Sequence, residues 1–242
     1  VPPAARHHLH SALLIARRQA IAVRWEVQCI SHALRDADVK VCLLKGAAYL
    51  AAGLDASRGR TFSDVDIIVP RVALDRTEVA LMVHGWQASH HDAYDQRYYR
   101  QWMHEIPPLV HNTRGTTIDV HHTIVPETAR TKVNIQSMLE HIVALPEQPA
   151  LHTLQPVDMV LHSATHLFHE GELENGLRDL FDLRSLMREF ENDAGFWEQL
   201  VPRARELGLT RPLYYALRYA SMLLEVQVPP PVRAAVQIGA PA

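Results

Sequence analysis

The sequence predicts an α+β protein: a small mixed sheet with flanking helices, followed by a C-terminal helical bundle. Three observations carry this. Short apolar runs bounded by turn residues are confined to about residues 39–125. Longer stretches with apolar residues at helical spacing lie on either side of them. One apolar run, Ser63-Asp64-Val65-Asp66-Ile67-Ile68-Val69, is interrupted by two carboxylates one residue apart. At 242 residues and 48% hydrophobic, the chain can bury one good core with an appended lobe. The expected division is an N-terminal helix over 1–37, a core over 38–125, a helical lobe over 126–228 and a tail over 229–242.

Residues 5–36 place Leu9, Leu13, Ala16, Ala20, Val23, Val27 and Ile30 at helical spacing. This predicts one long helix, straight or kinked, against the sheet. Val39 to Leu44 reads as a buried strand that turns through Lys45-Gly46 into a short helix, Ala47 to Ala52, closed by Gly53. The acid-bearing strand follows. Pro70 to His84 reads as a helix with Val72, Leu74, Val79, Leu81 and Met82 as core contacts; Gly85 ends it and Trp86 opens a strand. Tyr94 to Trp102, aromatic and charged, is placed in a loop or short helix at the site's mouth. Glu105 to His111 and Thr116 to His121 read as a hairpin around Asn112-Thr113-Arg114-Gly115. Helices are expected over 131–143, 156–169, 175–190, 194–207 and 210–225, with Pro156 and Gly208 as start and stop signals. Pro229-Pro230-Pro231 is expected to stop regular structure and leave a frayed tail.

The acids carry the chemistry. On a strand, residues i and i+2 share a face, so Asp64 and Asp66 project together, with Cα atoms roughly 6–7 Å apart. Two like charges so placed repel unless something positive lies between them, and a divalent cation with oxygen ligands is the usual solution. Asp119, between Ile118 and Val120, is a third carboxylate inside an apolar strand. Were its strand to pair beside the first, three acids would converge as in two-metal sites for phosphoryl and nucleotidyl transfer. Lys45-Gly46, a strand-to-helix turn, presents a cation and backbone N–H groups to an anion. Arg58 and Arg60 lie in the polar loop just before the acids. His121 adjoins the third acid and is read as facing the other side, a support for the strand.

Lys45-Gly46-Ala47, then Arg60 through Val69, then Gly115 through Ile118-Asp119-Val120-His121 resemble the DNA polymerase beta-type nucleotidyltransferases. They are most similar to the bacterial group called the uncharacterised nucleotidyltransferase family. The likeness is specific over about residues 39–125 and extends weakly to His162, His166 and Arg178-Asp179. It implies transfer of a nucleoside monophosphate from an NTP to an acceptor hydroxyl with pyrophosphate release, supported by Mg²⁺ or Mn²⁺ on Asp64, Asp66 and Asp119. It further implies that Lys45, Gly46, Arg60, Ser63, His121, Arg178 and Asp179 face substrate. The chain departs from the pattern at Ala47, where the wider superfamily has Ser or Gly, and at His122, where the group often has an aromatic residue. The acceptor stays open among a tRNA end, a protein hydroxyl and a small molecule.

Two other readings are kept. One is a catalytically silent nucleotide-binding or regulatory module, against which the three mutually repelling acids argue. The other is a metal hydrolase in the helical lobe, with His162, His166 and His169 on one helix face and Asp179 and Asp182 on the next helix. Their bland alternative, packing or lining the cleft, is favoured. Histidine is abundant, with 16 copies; His7, His8, His10, His90 and His91 are expected on the surface. A net charge of −3 argues against a broadly basic nucleic-acid-binding surface. Cys29 and Cys42 read as reduced thiols in buried segments. No apolar run approaches a membrane span or a signal-peptide core, so the expected location is the cytoplasm.

Overall fold

A computed structural model describes residues 2–89, 92–169 and 175–241, so the expectation for His90 and His91 falls outside the described residues. Helix α1, Pro3–Leu34, is continuous. Strand β1, Val41–Leu43, leads into α2, Lys45–Ala51, and then into β2, Asp64–Ile68. A 3-10 turn at Arg71–Ala73 starts α3, Leu74–Val83, and β3, Trp86–Ala88, follows. Then come α4, Ala93–Trp102, β4, Leu109–His111, and β5, Thr117–His121. The remainder is α5, Ile135–Glu140, β6, Val143–Leu145, β7, Gln148–Thr153, α6, Pro156–His169, α7, Gly176–Phe190, α8, Phe196–Leu207, α9, Thr210–Leu224, and α10, Pro230–Ala235.

The strands form one mixed sheet in the order β3-β4-β5-β2-β1-β7-β6. Its centre is the parallel pair β2 and β5, with Asp66 opposite Asp119 and Val65 opposite Ile118. The antiparallel hairpin β4–β5 delivers β5 to that place, with Gly115 at φ 67° in its turn. Val65, Ile67, Ile118 and Val120 are all buried on the face opposite the acids. Period-two alternation therefore holds the apolar residues in the core and the carboxylates on the other side.

Several packing details differ from expectation. Strands β6 and β7 lie in the stretch read as helical, and β7 pairs parallel with β1. Only Leu81 of the five candidates over 70–84 is fully buried; Leu74 is half-buried, and Val72, Val79 and Met82 are exposed, because Ala73 and Thr77 face inward instead. On α1, Ala16, Val23, Val27 and Ile30 are buried, but Leu9 and Leu13 are exposed where the helix runs past the core. The expected frayed tail is helical. Pro needs no intrahelical N–H at a helix start, so Pro230 begins α10 rather than preventing it. Val232 and Val236 are then buried against the bundle. Both cysteines are free, with Cys42 buried and Cys29 half-buried. No described helix is long and apolar enough to cross a membrane.

The helical lobe is fastened by one buried cation. Arg203 of α8 donates through Nε and Nη2 to the two Asp158 oxygens of α6, each at 2.8 Å. It also donates to Ser137 Oγ at 2.8 Å and the Ser137 carbonyl at 3.0 Å, which brings in α5. Gly208 caps α8 at φ 77°, and an added Cβ there would stand 2.5 Å from the Lys132 carbonyl oxygen. Removing one partner of a buried pair leaves the other charge desolvated, so Asp158→Ala is expected to cost about 3–5 kcal/mol in urea unfolding. Replacing both, as Asp158→Leu with Arg203→Met, is expected to cost clearly less. Equal losses would mean that the pair does not anchor the lobe.

Candidate active site

Asp64, Asp66 and Asp119 share one face of the sheet centre, as the pairing of β2 with β5 requires. Asp66 is the most enclosed and the best partnered. Its Oδ1 accepts from Lys45 Nζ at 2.9 Å and lies 3.1 Å from His121 Nε2. Burial acts against its charge, but the Lys45 ammonium and the His121 ring outweigh it and hold the carboxyl well below the usual carboxylate range. The other two acids go the opposite way. Burial, then repulsion from Asp66 and Asp64, pushes Asp119 up to about 7. Burial and then Asp66 raise Asp64, while a hydrogen bond from Ser63 works against the rise. The three acids thus stand at different degrees of readiness to release a proton.

The strand count places His121 correctly where the initial reading did not. Residues two apart share a face, so His121 lies on the side of Asp119 and Asp66 rather than opposite. Its ring reaches Asp66 through Nε2, and its Nδ1 lies 3.4 Å from Glu105 Oε2. Lys45 reaches the cluster from a left-handed backbone, φ 45°, which a non-glycine residue adopts at a cost. Gly46 leaves room for a neighbouring cation as well as shaping the turn. A Cβ there would come within 2.7 Å of Arg60 Nη1 and 2.9 Å of its Cζ, so any larger residue would displace the guanidinium from its present place.

Arg60 in turn donates from Nε to Asp182 Oδ2 of α7 at 3.1 Å and lies over the Phe62 ring. Burial pushes Asp182 up to about 6 despite that partner. Beside it, Arg178 donates to Asp179 at 2.8 Å, and His166 Nε2 lies 3.8 Å from Asp179 Oδ2. Burial pushes the Tyr49 phenol of α2 up, and Asp182, Arg60, Asp179 and Ser163 of α6 all lie near enough to act on it. A second polar cluster therefore spans the junction between α2 and the helices α6 and α7. His162 stands between the two clusters. Burial, with Lys45, His166 and His121 adding repulsion, drives its imidazole well below its ordinary value, so it is neutral. Arg58 does not join; it is exposed and paired with Asp55 at 3.0 Å.

One polar atom tests the fit of a cation. Asp119 Oδ1 is buried and accepts no hydrogen bond. A carboxylate oxygen so enclosed, beside two further acids, suits a hard divalent ion. Among the described residues, the group whose ligand atoms all lie within 4.8 Å of one another is His104, Glu105 and His121. Acids shared between two ions about 3.5–4 Å apart need not close so tightly. His162 and His166 with Asp179 and Asp182 do not reach that spacing.

The model of the family described as uncharacterised nucleotidyltransferase matches residues 1–225. The chain belongs to this family. It is accordingly an enzyme of the nucleotidyltransferase class, and the helical lobe lies within the matched region. No curated protein matches the chain. Similar solved structures include three at low identity. The solution structure of the antibiotic-resistance factor ANT(2'')-Ia has a TM-score of 0.49 at 12% identity, covering 84% of this chain and 98% of that one. The crystal structure of JHP933 from Helicobacter pylori has 0.42 at 13%, covering 92% and 90%. An antigenic nucleotidyltransferase-like protein from Paracoccidioides brasiliensis has 0.39 at 12%, covering 88% and 97%. At these scores the likenesses carry no functional weight.

Sequence reasoning missed two participants of this nucleotidyltransferase's polar face. Glu105 and His104 precede β4, and only the pairing of residue 105 with 121 brings them in. Asp182 was weighed only as a hydrolase ligand, although its i+3 spacing from Asp179 marks one helix face. The raised Asp119 carboxyl has a measurable consequence. It keeps its proton to about pH 7 in the fold, whereas an unfolded Asp loses it near about 3.9. The folded chain then holds more protons across that window, so this contribution is full below it and lost as pH rises through it. In EDTA, the Tm of the wild type is expected to fall relative to Asp119→Asn between about pH 4 and pH 7. A gap that is flat across that range would contradict the assignment.

Proposed function

We propose that this nucleotidyltransferase moves a nucleoside monophosphate from an NTP to an acceptor hydroxyl, with Asp64, Asp66 and Asp119 as the catalytic acids. The observation that carries the reading is the β2–β5 register, with Asp66 opposite Asp119 and Asp64 two residues along. Mg²⁺ or Mn²⁺, held by these three carboxylates, would supply charge stabilisation at the α-phosphate and the leaving pyrophosphate. The unpartnered Asp119 oxygen supports that fit.

Asp119 is the group assigned to take the acceptor's proton, since its buried Oδ1 has no donor from the protein competing for it. As that O–H bond breaks, the acceptor oxygen forms a bond to the α-phosphorus. The bond from the α-phosphorus to the bridging oxygen breaks, and pyrophosphate leaves with its electron pair. Asp66, fixed as an anion by Lys45 and His121, orients the other two acids. Arg60, held against Gly46 and Asp182, is assigned to the β- and γ-phosphates, with Lys45 beside the reacting centre. Ser63 positions Asp64. Arg178 and Asp179, on α7 beside Asp182, are assigned to the nucleoside or the acceptor. Tyr99 of α4 feels both Asp119 and Glu105, which supports a place for α4 at the acceptor's entry. The acceptor's class stays open among RNA, protein and small molecule, and the cytoplasm is the proposed location.

Two outcomes test this. Asp64→Asn and Asp66→Asn are expected to abolish transfer of label from an α-labelled NTP in Mn²⁺, while the circular dichroism stays that of the wild type. Transfer at near wild-type rate by either would refute the site. By calorimetry with Mg²⁺, Arg60→Ala is expected to weaken NTP binding by about 1–3 kcal/mol and the monophosphate far less. Equal losses for the two nucleotides would assign Arg60 to the fold, through Asp182, instead.

A further inference from the structure

The acid triad is not the only place where ligating atoms converge. His104, Glu105 and His121 meet at the end of β5, and their ligand atoms all lie within 4.8 Å of one another. His121 Nδ1 stands 3.4 Å from Glu105 Oε2, and His104 Nε2 stands 3.9 Å from the same oxygen. Two ligands each about 2.0–2.1 Å from a tetrahedral ion are themselves roughly 3.3–3.4 Å apart. The observed separations exceed a normal hydrogen bond and approach that edge length. The His104 and His121 rings lie nearly parallel, with centroids 5.2 Å apart.

The backbone holds the three in place. Glu105 bridges His121 in antiparallel fashion, Ile106 N–H donates to the Val120 carbonyl at 3.1 Å, and His122 N–H donates to the His104 carbonyl at 2.9 Å. The segment carrying His104 and Glu105 is thereby sewn to the end of β5, and both histidines are buried. The outer contact is also in place. A metal-bound imidazole usually donates its other ring N–H to a carboxylate, which fixes its tautomer and orientation. His121 Nε2 lies 3.1 Å from Asp66 Oδ1, and Asp66 is held in turn by Lys45.

We infer that His104, Glu105 and His121 form a second metal site, selective for a Zn²⁺-class transition ion and distinct from the three-aspartate site. Two imidazoles and one carboxylate are the donor set of zinc and its neighbours, whereas Mg²⁺ takes oxygen ligands and keeps its water. Three protein ligands leave a position for water. The ion would clamp the 104–106 segment to β5 and oblige His121 to present its Nε2 proton to Asp66, so this site orients the first one without sharing its metal. The inference does not depend on the proposed nucleotidyl transfer.

Co²⁺ titration of EDTA-stripped protein in excess Mg²⁺, followed by visible absorption, tests it. One Co²⁺ per chain is expected, with the intense bands of a four-coordinate ion, and Zn²⁺ is expected to abolish them stoichiometrically. His104→Gln and Glu105→Gln are each expected to weaken Co²⁺ binding roughly 100-fold or more, beyond the 10–100-fold of an outer-contact change. Asp64→Asn is expected to leave it within about twofold. Glu105 is half-buried, so Glu105→Gln is the variant least disturbing to the fold, and circular dichroism checks that. No absorbing complex, or bands lost in Asp64→Asn but retained in His104→Gln, would overturn the second site. Because Asp64→Asn separates transfer from Co²⁺ binding, failure of this inference is distinguishable from failure of the proposed function.

Discussion

Repulsion among three carboxylates on one face of the β2–β5 pair governs the rest of this molecule. Parallel pairing sets Asp66 directly opposite Asp119, and strand alternation adds Asp64 to the same side. In a partly buried setting such charges cannot all persist without cations nearby. The protein resolves the conflict unevenly. Lys45 and His121 converge on Asp66 and keep it ionised, while Asp64 and Asp119 are left with raised carboxyls. That imbalance separates an anchoring acid from one that can exchange a proton near neutral pH.

The remainder of the fold serves to hold this arrangement still. Lys45 accepts an unfavourable left-handed backbone so that its ammonium can reach Asp66. Gly46 is bare so that Arg60 can pass against the turn, and Arg60 is caught on the far side by Asp182 of α7. The helical lobe thus joins the polar face through the Arg60–Asp182 pair. Within the lobe, Arg203 ties α5, α6 and α8 together, which keeps α6, and with it His162, against the acids. Sheet and lobe therefore share one polar junction.

The parts of this that could be read from sequence were local. Asp64-Val65-Asp66 announced its shared face because strand alternation is strict, and the β4–β5 hairpin was legible from its turn residues and Gly115. The parallel partnering of β5 with β2 was a conjecture, since nothing local encodes which distant strands meet. His121 was assigned to the wrong face although the two-residue spacing from Asp119 decides it. Strand β7, Gln148-Pro149-Ala150-Leu151-His152-Thr153, was missed because it has little β-branched character and takes its identity from pairing with β1. The triple proline misled because Pro at a helix start initiates as readily as it terminates elsewhere. On α3 and the first half of α1, apolar periodicity was real but faced no partner, since exposure depends on what packs opposite.

The proposed activity requires that Asp64, Asp66 and Asp119 hold catalytic metal together. Anomalous diffraction from crystals grown with Mn²⁺ and a non-hydrolysable NTP analogue measures this directly. A manganese peak bounded by these three carboxylates, with the α-phosphate beside it, is the expected result. Manganese confined to other residues, with the three carboxylates bare beside a bound nucleotide, would contradict it.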